Sequence, residues 1–249
     1  LWLIIVAFIL SLSPLVFNIT NIQDNYVYLI SLVLFILANV RSIHLNRHLV
    51  LTGLIFVLFA TIPALYYQAI KYLFIPTYIL IALPIMTILK YQDWINLITK
   101  ITTILLFFEI LAIVSFVVYY FGFLTEHSFC IMNADGRKNC LWLGTMTNST
   151  FPTSSGAIIR PSAIYDEPGT FSFIICMTAL LRHELGMCRK KTLKLLALGL
   201  CTLSLAHVLF FIMYALNRIF LGSKIIMTKG KFILSILIIV IIVYLYSDV

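Results

Sequence analysis

Long apolar runs recur along this chain from one end to the other, and no soluble fold accommodates that pattern. They cover residues 1–17, 26–40, 49–66, 73–89, 101–123, 170–181, 192–217 and 232–247. A helix that crosses a bilayer needs ~20 mostly apolar residues, fewer where the membrane is thin. Composition points the same way: 62% of the residues are hydrophobic and 10% are charged. Ordinary globular domains have roughly 45–50% and 25%, and so few charges cannot solvate a soluble surface. Disordered and collagen-like chains are excluded too, because ten Gly and seven Pro sit in an otherwise apolar sequence. The expected fold is an all-α polytopic integral membrane protein, with about 7–9 transmembrane or re-entrant helices and one large extracytoplasmic loop. It reads as a single membrane domain over 1–249. Because the chain opens at Leu1 inside an apolar run and ends at Val249 one helix past a basic loop, truncation at one or both ends is expected.

Lys and Arg orient the spans. If the loop at 41–48 is cytoplasmic, then 90–100 and 182–194 are as well, and together they hold nine of the cations. The opposite side holds Lys71, Arg137, Lys138 and Arg160. By the positive-inside rule the polar stretch 124–169 lies outside the cytoplasm. The basic loop 218–231 (Arg218, Lys224, Lys229, Lys231) tests this assignment. If 192–217 is one tilted span, that loop falls outside and the tally is nine against eight. If 192–217 enters and returns as two half-helices, the loop is cytoplasmic and the tally is thirteen against four. Each half would reach only ~18 Å, so its backbone would need cover from protein or a water-filled cavity. Both readings stay open on sequence.

Chemistry concentrates at Arg160-Pro-Ser-Ala-Ile-Tyr-Asp-Glu-Pro-Gly-Thr170, just before the apolar run that begins at Phe171. Asp166 and Glu167 precede Pro168, a residue suited to the first turn of a helix. Acids there complement the helix dipole, so plain capping accounts for them in structural terms. Arg160 offers a two-pronged guanidinium that suits phosphate. An Arg, two acids and a Pro-Gly at a membrane–water boundary suit phosphate-bearing lipid substrates.

This stretch resembles the Arg-x-x-Gly-(Phe/Tyr)-x-Glu-Pro-Gly signature of bacterial O-antigen and capsular oligosaccharide repeat-unit polymerases, within the O-antigen polymerase/ligase superfamily. The resemblance covers about a dozen residues, placed at the end of the large outer loop as in that family. Leu196-Ala-Leu-Gly-Leu-Cys-Thr-Leu-Ser204 is similar to the family's hydrophobic Thr-x-Ser-Arg segment. Two departures stand out: Leu205 occupies the Arg position, and Ala163 replaces the Gly. The resemblance implies a metal-independent glycosyltransferase without a cofactor. Such an enzyme polymerises undecaprenyl-diphosphate-linked oligosaccharides into surface polysaccharide at the outer face of the bacterial cytoplasmic membrane. Arg160 would meet the departing diphosphate, and Glu167, with Asp166 beside it, would assist the attacking hydroxyl. Arg137, Lys138 and Tyr165 are the substrate-binding candidates. Membrane lipids, a chain-length regulator and a flippase are the partners implied, and nucleic acid is not. Two other functions stay open, an O-antigen ligase and a non-enzymatic flippase or transporter of lipid-linked sugars.

Four further residues carry expectations. Glu109 lies inside the run 101–123, where a charge is costly; protonation or pairing within the bundle is preferred over a functional role. His207 reads as polar packing between helices, and Cys176 and Cys201 as small apolar packers. Cys130 and Cys140 are expected to form a disulfide. Both lie in the outer segment, and Asn133-Ala-Asp-Gly136 between them is a strong turn signal. The five cysteines have no ligand-like spacing, so no metal is expected.

Overall fold

The computed structural model describes residues 2–10, 24–43, 47–67, 74–123, 129–132, 138–142, 145–147, 150–153, 156–165 and 167–221. Asp166, Arg137, residues 11–17 and the last basic loop and apolar run beyond 221 lie outside the described residues. The described chain is mostly helical. Its helices are α1 (Trp2–Leu10), α2 (Asp24–Ala38), α3 (Arg47–Tyr67), α4 (Phe74–Ile88), α5 (Tyr91–Tyr120), α6 (Pro168–Glu184), α7 (Arg189–Leu198) and α8 (Leu205–Leu221). Two of them, α3 and α5, are long and apolar enough to cross a membrane, and shorter apolar stretches lie in α2, α4 and α8. On α3 the large side chains Leu54, Phe56, Leu58, Phe59, Ile62 and Leu65 are all exposed. Gly53 lets α4 approach α3, since a Cβ there would collide with the Leu83 side chain.

Helix α5 begins ten residues before the apolar run at 101, so residues 91–100 are not the loop the sequence suggested. The physical reason is a sound start. The Lys90 backbone N–H donates to Asp93 Oδ2 at 3.1 Å, and the acid sits where the dipole favours it. The polar residues then ride on a stripe whose other face, Leu97, Ile98 and Ile101, is buried. That stripe continues through Thr102, Leu105, Glu109, Ala112 and Ser115, and α5 packs on α6 and α7 along it. Helix α6 contributes Phe171, Ile174, Ile175 and Ala179 to the same core, and α7 contributes Leu195 and Leu196.

The described residues between 129 and 159 form strands, which corrects the all-α expectation. Strands β1 (Phe129–Met132), β2 (Lys138–Trp142) and β3 (Thr145–Thr147) form an antiparallel sheet, and β4 (Thr150–Thr153) pairs with β5 (Gly156–Ile159) as a hairpin. These stretches are short, rich in Thr and large apolar residues, and carry no helical period. Cys130 stands directly opposite Cys140 in the β1–β2 register. Their sulfurs are bonded at 2.07 Å, with Cα atoms 4.0 Å apart.

The segment 192–217 is broken. After α7, a 3₁₀ turn over Gly199–Thr202 ends at Leu203, whose φ of 49° is left-handed, and α8 starts afresh. His207 meets Ser172 and Cys176 near the start of α6, while Tyr214 meets His183 in its last turn. Helix α8 therefore runs back alongside α6, in the direction of α6. One continuous tilted helix over 192–217 is excluded. The basic stretch 182–194 is also not one loop: α6 reaches Glu184, α7 starts at Arg189, and Arg182 is buried.

Candidate functional site

The signature residues lie between β5 and α6, over the break between α7 and α8. Arg160 directly follows β5 and is half-buried. Its Nε–H donates to the Thr202 carbonyl at 3.4 Å. That carbonyl is available because the chain leaves helical geometry at Leu203, and the last carbonyls of a helical turn have no partner within it. Two segments 42 residues apart, both singled out in the sequence, thus touch at one hydrogen bond.

The loop from Pro161 to Tyr165 is held rigidly by β3. The backbone N–H groups of Ser162 and Ala163 both donate to Thr145 Oγ1 at 3.0 Å. Met146 N–H donates to the Ala163 carbonyl at 2.6 Å. The Ser162 hydroxyl lies 3.0 Å from the Met146 carbonyl and 2.8 Å from that of Tyr165. All of these residues are buried, so the loop's backbone requirements are met without water. Ala163 adopts a φ of 53°, the left-handed region where glycine is at home. Ala, the smallest residue that carries a Cβ, occupies this left-handed position.

Glu167 is exposed, and it is the N-cap residue of α6, with Pro168 in the first turn. Its side chain makes no capping hydrogen bond, but its place at the N-cap is the one where the helix dipole favours an acid. Tyr165 is fully buried and stacks on Phe171 with ring centroids 5.7 Å apart. Its hydroxyl has no hydrogen-bond partner among the described residues, and burial pushes its pKa upward. In this arrangement Tyr165 is a core residue beneath the loop rather than a surface ligand. Lys138 lies in β2 opposite Met132. Arg137 and Asp166 lie outside the described residues.

A second polar cluster sits below the break. His207 Nε2–H donates to the Leu196 carbonyl at 2.8 Å, which leaves Nδ1 to accept from Ser172 Oγ at 3.2 Å, with Cys176 Sγ 3.5 Å away. The ring ties α6, α7 and α8 together at the reversal. Gly199 makes room for it: a Cβ there would run into the His207 ring. Glu109 is fully buried on α5, and neither carboxylate oxygen has a hydrogen-bond partner among the described residues. Sequence reasoning missed Thr145, Ser162 and Thr202. Each is an ordinary small polar residue whose role comes from partners far away in the chain. Among the described residues no group of three or more His, Cys, Asp or Glu side chains is placed to hold a metal ion.

Compared with known proteins, the chain matches no family model, no curated protein and no solved structure.

Proposed function

We propose that this chain is a multi-pass protein of the bacterial cytoplasmic membrane that polymerises lipid-linked oligosaccharide repeat units at the outer face. The observation that carries this reading is the Arg160–Thr202 hydrogen bond, which joins the two segments resembling the polymerase family. The exposed apolar faces of α3 and α5 suit contact with lipid rather than water. With α8 turning back, the basic loop after it joins the cytoplasmic side, the arrangement that the positive-inside rule favours.

In the proposed reaction a hydroxyl of the incoming repeat unit attacks the anomeric carbon of the growing glycan. The bond from that carbon to the diphosphate oxygen breaks, and undecaprenyl diphosphate leaves with the electron pair. Arg160 is placed to stabilise the negative charge on the leaving group. Glu167, exposed at the start of α6, orients the hydroxyl and takes its proton. The rigid loop beneath them supplies the preorganisation such a site needs.

Arg160→Ala and Glu167→Ala should each abolish polymer, while the protein still inserts in the membrane at normal level. Arg160→Lys should also be impaired, since a point charge does not reproduce the planar fork. The readout is the polymer-length ladder on gels from cells making the full-length protein. Normal ladders from both alanine variants would reject the assignment.

A further inference from the structure

At the end of α6 opposite the signature loop, the short connection to α7 gathers positive charge. Arg182 closes α6, and Arg189, Lys190, Lys191 and Lys194 follow on α7, against the single acid Glu184. Arg182 is only 2% exposed. Its Nε–H donates to Thr192 Oγ1 at 3.0 Å, one Nη to Thr102 Oγ1 at 3.1 Å and the other to the Cys188 carbonyl at 3.2 Å. Every one of these acceptors is neutral. The guanidinium is held in place, but none of these partners balances its charge, and buried cations are ordinarily paired.

The start of α7 adds to the imbalance. Its first turn holds Arg189, Lys190 and Lys191, all exposed, with no acid. That is the end where the macrodipole favours anions and disfavours cations. Cys188, the exposed N-cap residue, reports the same field. Its thiol is held below the usual thiol range, first by the nearby Lys191 and Lys190 backbone N–H groups and then by the charges of Lys191 and Arg182. The exposed face of α7 carries Leu193 and Ala197 beside these charges, an amphipathic combination suited to the lipid headgroup boundary.

We infer that the α6–α7 connection binds the phosphate headgroup of an anionic phospholipid in the cytoplasmic leaflet. Arg189, Lys190 and Lys191 contact the phosphate, and Leu193 lies toward the acyl chains. Basic clusters next to a span are attracted to such a leaflet, each cation adding to the affinity. The inference rests on the membrane placement proposed above, and not on the polymerase chemistry.

The test uses the full-length protein, purified in an uncharged detergent and stripped of lipid. Native mass spectrometry then compares retention of dioleoyl phosphatidylglycerol with that of dioleoyl phosphatidylcholine, with and without millimolar inorganic phosphate. The expected result is preferential retention of phosphatidylglycerol that survives added phosphate. It should fall at least about tenfold in the R189Q/K190Q/K191Q variant, while R41Q, a cation removed elsewhere, leaves it unchanged. Equal retention of the two lipids, an unaffected triple variant or displacement by free phosphate would each overturn the inference. Alkaline carbonate extraction separates the two levels. A protein that stays in the membrane but shows no lipid preference loses only the headgroup site; a protein released by carbonate loses the membrane placement and the site together.

Discussion

At the scale of single residues, the break between α7 and α8 depends on an interlocked pair, Gly199 and His207. The imidazole occupies the space a side chain at 199 would need, and it satisfies the Leu196 carbonyl from there. His207→Ala should cost ~2–4 kcal/mol, from a lost buried hydrogen bond and a cavity. Gly199→Ala should cost ~1–3 kcal/mol, because its methyl must displace the ring. With the ring gone, the methyl has room, so Gly199→Ala should cost little in the His207→Ala background. Thermal unfolding in detergent of the four proteins of this cycle measures the coupling, and simple additivity would mean the two residues do not compete for space. Ala163 poses a different residue-scale question. Glycine is free of the left-handed strain but gives up a buried methyl and adds unfolded-state freedom, terms of similar size near ~1 kcal/mol each. Ala163→Gly should therefore stay within about 1 kcal/mol of the parent protein. Ala163→Val should lose ~2–4 kcal/mol, since a β-branched residue is an outlier at positive φ and the site is fully buried. Equal melting temperatures for the two variants would show that the left-handed backbone at 163 does not limit which residue fits there.

At the scale of elements, the three-stranded sheet acts as a support for the loop from Pro161 to Tyr165. Thr145 and Met146 of β3 hold Ser162 and Ala163, and β3 in turn pairs with β2, to which β1 is joined by the disulfide. Closing the ten-residue separation of Cys130 and Cys140 should stabilise this unit by ~2–3 kcal/mol in the chain-entropy model. Replacing both cysteines with serine should accelerate proteolysis between 124 and 169, and leave the helical bundle resistant. Cleavage rates indistinguishable from those of the parent would show that the bridge contributes nothing to the support. The pairing was legible in the sequence because compartment, spacing and a turn signal agreed. The strands were not. Their residues fit a loop equally well until cross-strand partners are known, and strand preference is decided by those partners more than by the backbone.

At the scale of the whole molecule, the reversal at Leu203 turns α8 back along α6, and under the membrane placement proposed above it sets the side on which the chain after α8 emerges. Single cysteines introduced in a thiol-free background, probed with a membrane-impermeant reagent in intact cells, test it. Phe123→Cys, exposed at the outer end of α5, should label. Arg189→Cys at the start of α7 and Lys224→Cys just past α8 should both stay protected. Labelling at 224 alone would return the chain to one more crossing between 192 and 217. What the sequence determined by itself was the apolar, helical character and the pairing of Cys130 with Cys140. Both follow from composition, run length and charge, which are local properties. What only the tertiary structure decided was the reversal, the burial of Arg182 and the meeting of Arg160 with Thr202. Leu203 and Ser204 carry neither Gly nor Pro and sit in an apolar run that could have continued as helix. The turn there is held by contacts that span 35 residues from Ser172 to His207 and 42 from Arg160 to Thr202. Interactions at that separation leave no periodic trace in the sequence, so they become visible only once the helices are packed.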